Sequence, residues 1–202
     1  MQPSPDNKPA LRKYLAKCRD DLGAAFRETA SREIADNIVD WFADQDITCA
    51  GTARVVSGFY PFNSEIDCLA LMAALNKAGC VTVLPFIIAP HQPLGFRQWG
   101  PGDPTIPGIW DIPVPLSEAA NLVPDILLVP LLGFDRAGYR IGYGGGFYDR
   151  TLARLGANGK IISVGLAFST QEVDEVPREA HDVPLDWILT ENGLFRAGEQ
   201  VS

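Results

Sequence analysis

The chain has few of the residues that most often carry metal or thiol chemistry. Of its 202 residues only two are histidine (His91 and His181) and four are cysteine, with no Cys-x-x-Cys pair. A zinc site of the usual His/Cys kind is therefore not expected. Cys18 and Cys68 fall on the apolar faces of expected helices, which favours buried free thiols over ligands or disulfides. Long apolar runs are missing too. The longest, Ile126 to Phe134, is interrupted by Pro130 and is far too short to cross a bilayer. Residues 1–13, MQPSPDNKPALRK, contain no apolar segment of the signal-peptide kind, so the expectation is a cytoplasmic protein with no membrane partner. Basic charge is in deficit: 17 Lys and Arg stand against 25 Asp and Glu, a formal charge of −8. That balance argues against a general nucleic-acid binder, which needs a basic face. It leaves room for a nucleotide ligand, which needs only a few local cations.

What is present reads as folded protein: 47% hydrophobic and 21% charged residues, in a chain long enough to bury a substantial core. Residues 1–7 are polar and proline-containing and are expected to form a flexible arm, with residues 8–202 as a single domain. Leu11, Leu15, Cys18, Leu22 and Phe26 recur at spacings of three and four, which predicts an amphipathic helix with Pro9 in its first turn. Ser31 is placed to cap a second helix carrying Ile34, Ile38, Trp41 and Phe42, and Ser64 a third that runs to about Ala78 and is closed by Gly79. Strands are expected over 54–60, 81–86, 94–99, 126–129, 160–168 and 187–190. A helix over 147–155 stops at Gly156, and residues 100–116, dense in Pro and Gly, form a long loop of the kind that often serves as a binding lid. Short apolar strands alternating with helices predict an α/β fold, a three-layer α/β/α sandwich with a mainly parallel sheet.

The densest chemical signal runs from Phe134 to Arg150, FDRAGYRIGYGGGFYDR, between an apolar strand and a helix. Glycines there let backbone N–H groups converge, and a helix N-terminus adds partial positive charge, a combination that suits phosphate. No Gly-Lys-Ser/Thr follows and Phe147 occupies the last glycine of a GxGxxG pattern, so neither standard nucleotide motif is present. A plain glycine-rich corner is the competing explanation. Arg140 and Arg150 flank the loop and suit a polyphosphate. Asp149 is either an ordinary helix-start acid or a magnesium ligand. Lys8 and Arg12 share a helix face, which is either solvated or turned to an anionic partner. Tyr60 and Glu65 follow the end of a parallel strand, where α/β sheets bind ligands, although Glu65 also suits a first helical turn. Trp110 either stacks on a planar ring or anchors its loop in the core. His181-Asp182 has no serine or cysteine elbow to pair with, so a hydrolase triad is unsupported.

Taken together these segments resemble the 5-formyltetrahydrofolate cyclo-ligase family, also called methenyltetrahydrofolate synthetases. The resemblance runs from about Lys8 to Thr190. It rests on Lys8-x-x-x-Arg12, on Tyr60-Pro61-x-x-x-Glu65-Ile66 and on the segment from Pro130 through Phe134-Asp135 and Gly138 to Arg150. Two further matches are Phe168-Ser169-x-Gln171 and Val176-Pro177-x-Glu179-x-His181-Asp182. Phe147 stands where the family commonly has Tyr. The resemblance implies a fold similar to sugar-phosphate isomerases and CoA-transferases. It also implies ATP- and Mg2+-dependent closure of 5-formyltetrahydrofolate to 5,10-methenyltetrahydrofolate through a phosphorylated formyl group. On that footing Lys8, Arg12 and Arg140, Ile141, Gly142, Tyr143, Gly144, Gly145, Gly146, Phe147 and Tyr148 would hold ATP. Tyr60, Glu65, Trp110 and Tyr143 to Phe147 would hold the folate, Asp149 and Asp182 the metal, and Arg140, Tyr148 and Asp149 would take part in catalysis. The expected assembly is a monomer or weak homodimer. A sugar-phosphate isomerase or CoA-transferase relative, and a non-catalytic regulator binding folate or RNA, are the competing readings.

Overall fold

A computed structural model describes residues 7–45, 47, 54–159 and 161–198; residues 1–6 of the expected arm lie outside the described residues. Three helices, α1 (Lys8–Asp20), α2 (Ala24–Asp44) and α3 (Cys68–Lys77), fall in the first part of the chain and α4 (Phe147–Asn158) in the second. The main strands are β1 (Val55–Ser57), β2 (Val81–Ile87) and β3 (Leu94–Gln98). Short pieces β4 (Thr105–Pro107) and β5 (Pro113–Pro115) follow, then β6 (Ile126–Pro130), β7 (Gly133–Phe134) and β8 (Arg140–Ile141). The chain closes with β9 (Ile162–Leu166), β10 (Trp187–Thr190) and β11 (Gly193–Arg196). Seven strands make one sheet in the order β11-β10-β9-β6-β1-β2-β3. The five central strands are parallel, and β3 and β11 close the edges antiparallel.

Strand β6 shows why the sheet needs cover on both sides. Its residues alternate between two clusters: Ile126 and Leu128 join α2 and α3, while Leu127 and Val129 join α4. All four are fully buried, the pattern of a parallel strand with both faces packed. The chain runs from β1 outward to β2, then returns to β6 and proceeds outward the other way to β9. Parallel crossovers have a fixed hand, so α3 after β1 and α4 after β6 lie on opposite faces. The expected three-layer arrangement is what forms. The reversal of strand order falls between β1 and β6, a position where open α/β sheets leave a crevice beyond the strands' carboxyl ends.

Several local boundaries differ from the periodicity reading. The first apolar stripe is broken after Asp20, and Gly23 opens α2. Ser31 therefore lies inside α2, where its hydroxyl accepts from the Asp67 N–H (3.0 Å). Asp67, not Ser64, caps α3, so Glu65 sits in the segment before the helix and is no first-turn residue. Helix α4 runs past Gly156, and residues 100–116 contain the β4–β5 hairpin. The two-residue strands β7 and β8 and the edge strand β11 gave no sequence signal. Cys18 and Cys68 are free thiols as expected, whereas Cys80 is disulfide-bonded. Burial pushes the Cys68 thiol up to about 12, which removes it as a nucleophile.

Candidate functional site

Beyond the carboxyl ends of β1, β2 and β6 lies a cavity of about 690 Å³, a volume usual for a small-molecule site. Every residue to which the family resemblance gave a site role lines it: Lys8, Arg12, Tyr60, Glu65, Trp110, Arg140 through Tyr148, Asp149 and Asp182. Arg150 does not. Its guanidinium turns instead over the Phe147 ring (5.4 Å to the centroid) and donates to the Gly145 carbonyl.

Helix α1 reaches the cavity because its apolar side is nailed down. Leu11 and Leu15 pack with Leu132, Ile141, Val173 and Val176, and residues four apart share a face, so Lys8 and Arg12 project from that docked side to the cavity rim. Asn7 caps the helix by accepting from Ala10 N–H (3.0 Å). The Arg12 Nε donates to the Gly142 carbonyl (2.9 Å), and its guanidinium lies against Gly144. The two terminal nitrogens of Arg12 take no acceptor among the described residues. The glycine loop then delivers its backbone to the start of α4. Gly144 (φ +96°) and Gly146 (φ +63°), the N-cap, occupy the left-handed region, which glycine reaches without steric cost. Helix α4 begins with Phe147, so its positive end faces the cavity.

Two cations at the rim are paired with acids. The Arg140 guanidinium, with its side chain 5% exposed, meets Asp149 at 2.6 Å and donates to the Val183 carbonyl at 2.8 Å. Burial draws the Arg140 affinity for its proton down, against the opposing charge of Asp149. Lys8 meets Asp182 at 3.0 Å and Glu179 at 2.8 Å. Burial works against both charges of the Lys8–Asp182 pair. Hydrogen bonding outweighs it, so Lys8 is raised and Asp182 lowered from their ordinary values. Asp149 Oδ1 also lies 3.5 Å from Val183 N–H, which brings the two acidic positions to adjoining places on the wall.

The opposite end is apolar with one buried carboxylate. Glu65 accepts from Phe62 N–H (2.8 Å), and burial raises its pKa against the pull of Arg19. Burial also pushes the Tyr143 hydroxyl up to about 12 and the Tyr148 hydroxyl higher, so both remain neutral donors. Phe62 meets Tyr143 edge-on at 6.1 Å, and Phe59, Phe86 and Ile87 add apolar wall. Trp110 is 65% exposed, which rules out a core anchor. It sits at the tip of the β4–β5 hairpin, edge-on to Phe147 at 6.4 Å, with φ +58°.

Sequence reasoning passed over Arg19 and gave Glu179 no role. Glu179 stands within the Val176-to-Asp182 pattern, and Arg19 lies seven residues beyond Arg12 on the docked side of α1; those spacings were the available signal. Other residues of the motifs build the frame. Asp135, 1% exposed, accepts from Tyr139 N–H and Val176 N–H at 3.0 Å each. Gln171 donates to the carbonyls of Leu131 and Leu132 at 2.9 Å.

Fold and cavity together define a three-layer α/β enzyme with a small-molecule site at the switch point of its sheet. Residues 5–191 match the model of the 5-formyltetrahydrofolate cyclo-ligase family. A 5-formyltetrahydrofolate cyclo-ligase of Mycolicibacterium smegmatis is 33% identical over 196 residues, covering 93% of this chain and 95% of that protein. One from Haemophilus influenzae is 34% identical over 190 residues, covering 89% and 95%. The solved Aquifex aeolicus 5,10-methenyltetrahydrofolate synthetase superposes with a TM-score of 0.77 at 27% identity, over 96% of this chain and 95% of that one. The chain belongs to the 5-formyltetrahydrofolate cyclo-ligase family.

Proposed function

We propose that the protein closes 5-formyltetrahydrofolate to 5,10-methenyltetrahydrofolate with ATP and Mg2+, releasing ADP and phosphate. The relatives' names support the folate reaction. The observation that carries the rest is the meeting in one cavity of a rim of cations and acids (Lys8, Arg12 and Arg140 with Asp149, Glu179 and Asp182), a helix-start glycine loop and an apolar slot with a buried carboxylate. A formyl amide is a poor electrophile and its oxygen a poor leaving group. Transfer of the γ-phosphoryl group to that oxygen makes it a phosphate. The second folate nitrogen then attacks the formyl carbon, the carbon–oxygen bond breaks, and phosphate departs with the oxygen. Such a sequence needs positioning and charge neutralisation more than a protein nucleophile.

Lys8, Arg12 and the stretch Arg140 to Tyr148 hold ATP in this reading, with the glycine-loop N–H groups on the phosphates. Arg12 has two nitrogens to offer at once, while Lys8 and Arg140 must exchange part of their contact with Asp182 and Asp149. Tyr60, Glu65 and Trp110 hold the folate, and the loop from Tyr143 to Phe147 touches both substrates. Glu65 accepts from pterin N–H groups. Tyr148, neutral and at the cavity wall, donates to the reacting oxygen.

The residues fit a magnesium ion. Asp149 and Asp182 are hard oxygen donors on adjoining wall positions. Among the described residues no cluster of three His, Cys, Asp or Glu side chains forms, so the protein would supply one or two carboxylates and leave the remaining positions to phosphate oxygens and water. When bound, the metal offsets phosphate charge. The test is the absorbance of methenyltetrahydrofolate formed from 5-formyltetrahydrofolate, with ATP and Mg2+ each present or omitted. Product only with both is expected. No product from folded, folate-binding protein would overturn the assignment in favour of a regulator.

A further inference from the structure

Arg19 is one of the largest fully buried side chains in the protein, 2% exposed, and it is a cation. Its Nε donates to Ser64 Oγ (3.0 Å), whose hydroxyl in turn bonds Asp20. One terminal nitrogen donates to the Tyr143 hydroxyl (2.7 Å). The other lies 3.5 Å from the Leu131 carbonyl and 3.7 Å from Glu65 Oε1. The planar fork thus joins α1, the segment after β1, the end of β6 and the glycine loop. Both of its side-chain partners beyond Ser64 are walls of the cavity.

Stability does not explain a charge at this place. Desolvating a guanidinium is costly, and well-packed apolar residues often replace buried ion pairs without loss. What a rigid fork supplies is orientation, because its donors are fixed relative to one another. Glu65 is held by Phe62 N–H on one oxygen and by Arg19 on the other. Tyr143, directly before the left-handed Gly144, has its hydroxyl tethered by the same group.

We propose that Arg19 is a positioning residue for the folate: it aims Glu65 and Tyr143 into the slot and keeps the Glu65 carboxylate available for substrate N–H groups. This rests on the reading of that slot as the folate site. The groups facing Glu65 are Arg19 from α1, Tyr143 from the glycine loop, Cys68 at the start of α3 and Tyr148 on α4. Arg19 is the one cation among them. Without it, only the Phe62 N–H and the Tyr143 hydroxyl oppose burial, and Glu65 keeps its proton to higher pH.

The experiment is calorimetric binding of 5-formyltetrahydrofolate without ATP, for Arg19→Lys, Glu65→Gln and the double variant, with thermal melts and the KM for ATP as controls. Lysine keeps the charge and loses the fork. Arg19→Lys should weaken folate binding about tenfold in the native background and less than about twofold in the Glu65→Gln background, the coupling expected of side chains acting through one another. The KM for ATP should rise by a smaller factor than folate binding weakens, Tyr143 being the one tethered group that both substrates share. Arg19→Gln, which keeps donors and loses the charge, is the second variant. Its folate binding should weaken as pH falls from about 8 to about 6 more steeply than the native protein's, whose Glu65 is raised less. Equal factors in both backgrounds, or native binding by either folded variant, would overturn the proposal while leaving the site in place. Native binding by Glu65→Gln would overturn the folate site and the role of Arg19 with it.

Discussion

Arg140 and Asp149 face each other at 2.6 Å across the rim, yet the reading gives them separable tasks. Arg140 meets phosphate, so Arg140→Ala should raise the KM for ATP about tenfold or more, the worth of a lost charge-assisted contact, and raise the KM for folate much less. It should also lower the melting temperature, since Asp149 and the Val183 carbonyl lose a donor at once. Asp149→Asn keeps an oxygen acceptor for Arg140, so folding should stay near normal. Turnover should nonetheless fall about a hundredfold or more, because a neutral amide is a poor magnesium ligand. Steady-state kinetics with ATP, folate and Mg2+ varied in turn separates the two. Unchanged KM values would remove Arg140 from the phosphates, and unchanged turnover would remove Asp149 from the metal.

In the proposed function the glycine loop between β8 and α4 serves both substrates, and its backbone sets a graded test. An alanine at Gly144 would adopt φ +96° and place its Cβ 3.3 Å from the Arg12 guanidinium carbon. Left-handed strain costs about 1–2 kcal/mol for a residue with a side chain, which in a chain of this size lowers the melting temperature by roughly 2–8 °C. Because the displaced neighbour is Arg12, the KM for ATP should rise as well. At Gly142 an added Cβ meets nothing within 4 Å, so Gly142→Ala should melt within about 1–2 °C of the native chain, small surface changes being worth a few tenths of a kcal/mol. Melts and ATP titrations of the two variants decide it; identical behaviour would show that the loop conformation is not what holds Arg12.

Elements of this kind were unevenly legible in the sequence. Strand β6 was readable because a short apolar run cut off by Pro130 is too short for a helix and suits a strand covered on both faces. The loop and the start of α4 were readable from the glycines of residues 142–146, whereas its end was not, because Gly156 lies inside the helix instead of stopping it. Ser31 and Ser64 misled because a serine before an apolar stripe looks like a cap wherever it falls. Here their hydroxyls serve Asp67 N–H and the Arg19–Asp20 pair across space, contacts that local pattern does not encode. Arg19 was missed for the same reason: its partners lie 45, 46 and 124 residues away. The residues of the cavity rim were found in advance through motif resemblance, not through any period or spacing that would have placed Lys8 beside Asp182.

At the scale of the whole molecule, the cavity exists only when distant parts of the chain are assembled: α1, the segment after β1, the β4–β5 hairpin, the glycine loop and residues 179–183. Ligands of that cavity therefore bind the native state and not the unfolded chain, and binding must appear as thermal stability. At a hundred times its dissociation constant a ligand contributes about 2.7 kcal/mol, which corresponds to roughly 5–11 °C in a protein of this length. The sign of charge makes the metal dependence sharp. The chain carries −8 overall, and its rim cations Lys8 and Arg140 already face Asp182 and Asp149. ATP arriving alone brings phosphates against those two carboxylates, while ATP arriving with Mg2+ gives each carboxylate a cation to hold and frees Lys8 and Arg140 for phosphate. Calorimetric melts should show a shift with ATP and Mg2+ several degrees larger than with ATP and a chelator. 5-Formyltetrahydrofolate alone should give its own shift, indifferent to the chelator. Equal ATP shifts with and without the metal would take Asp149 and Asp182 out of the magnesium reading and leave them as structural partners of the two cations.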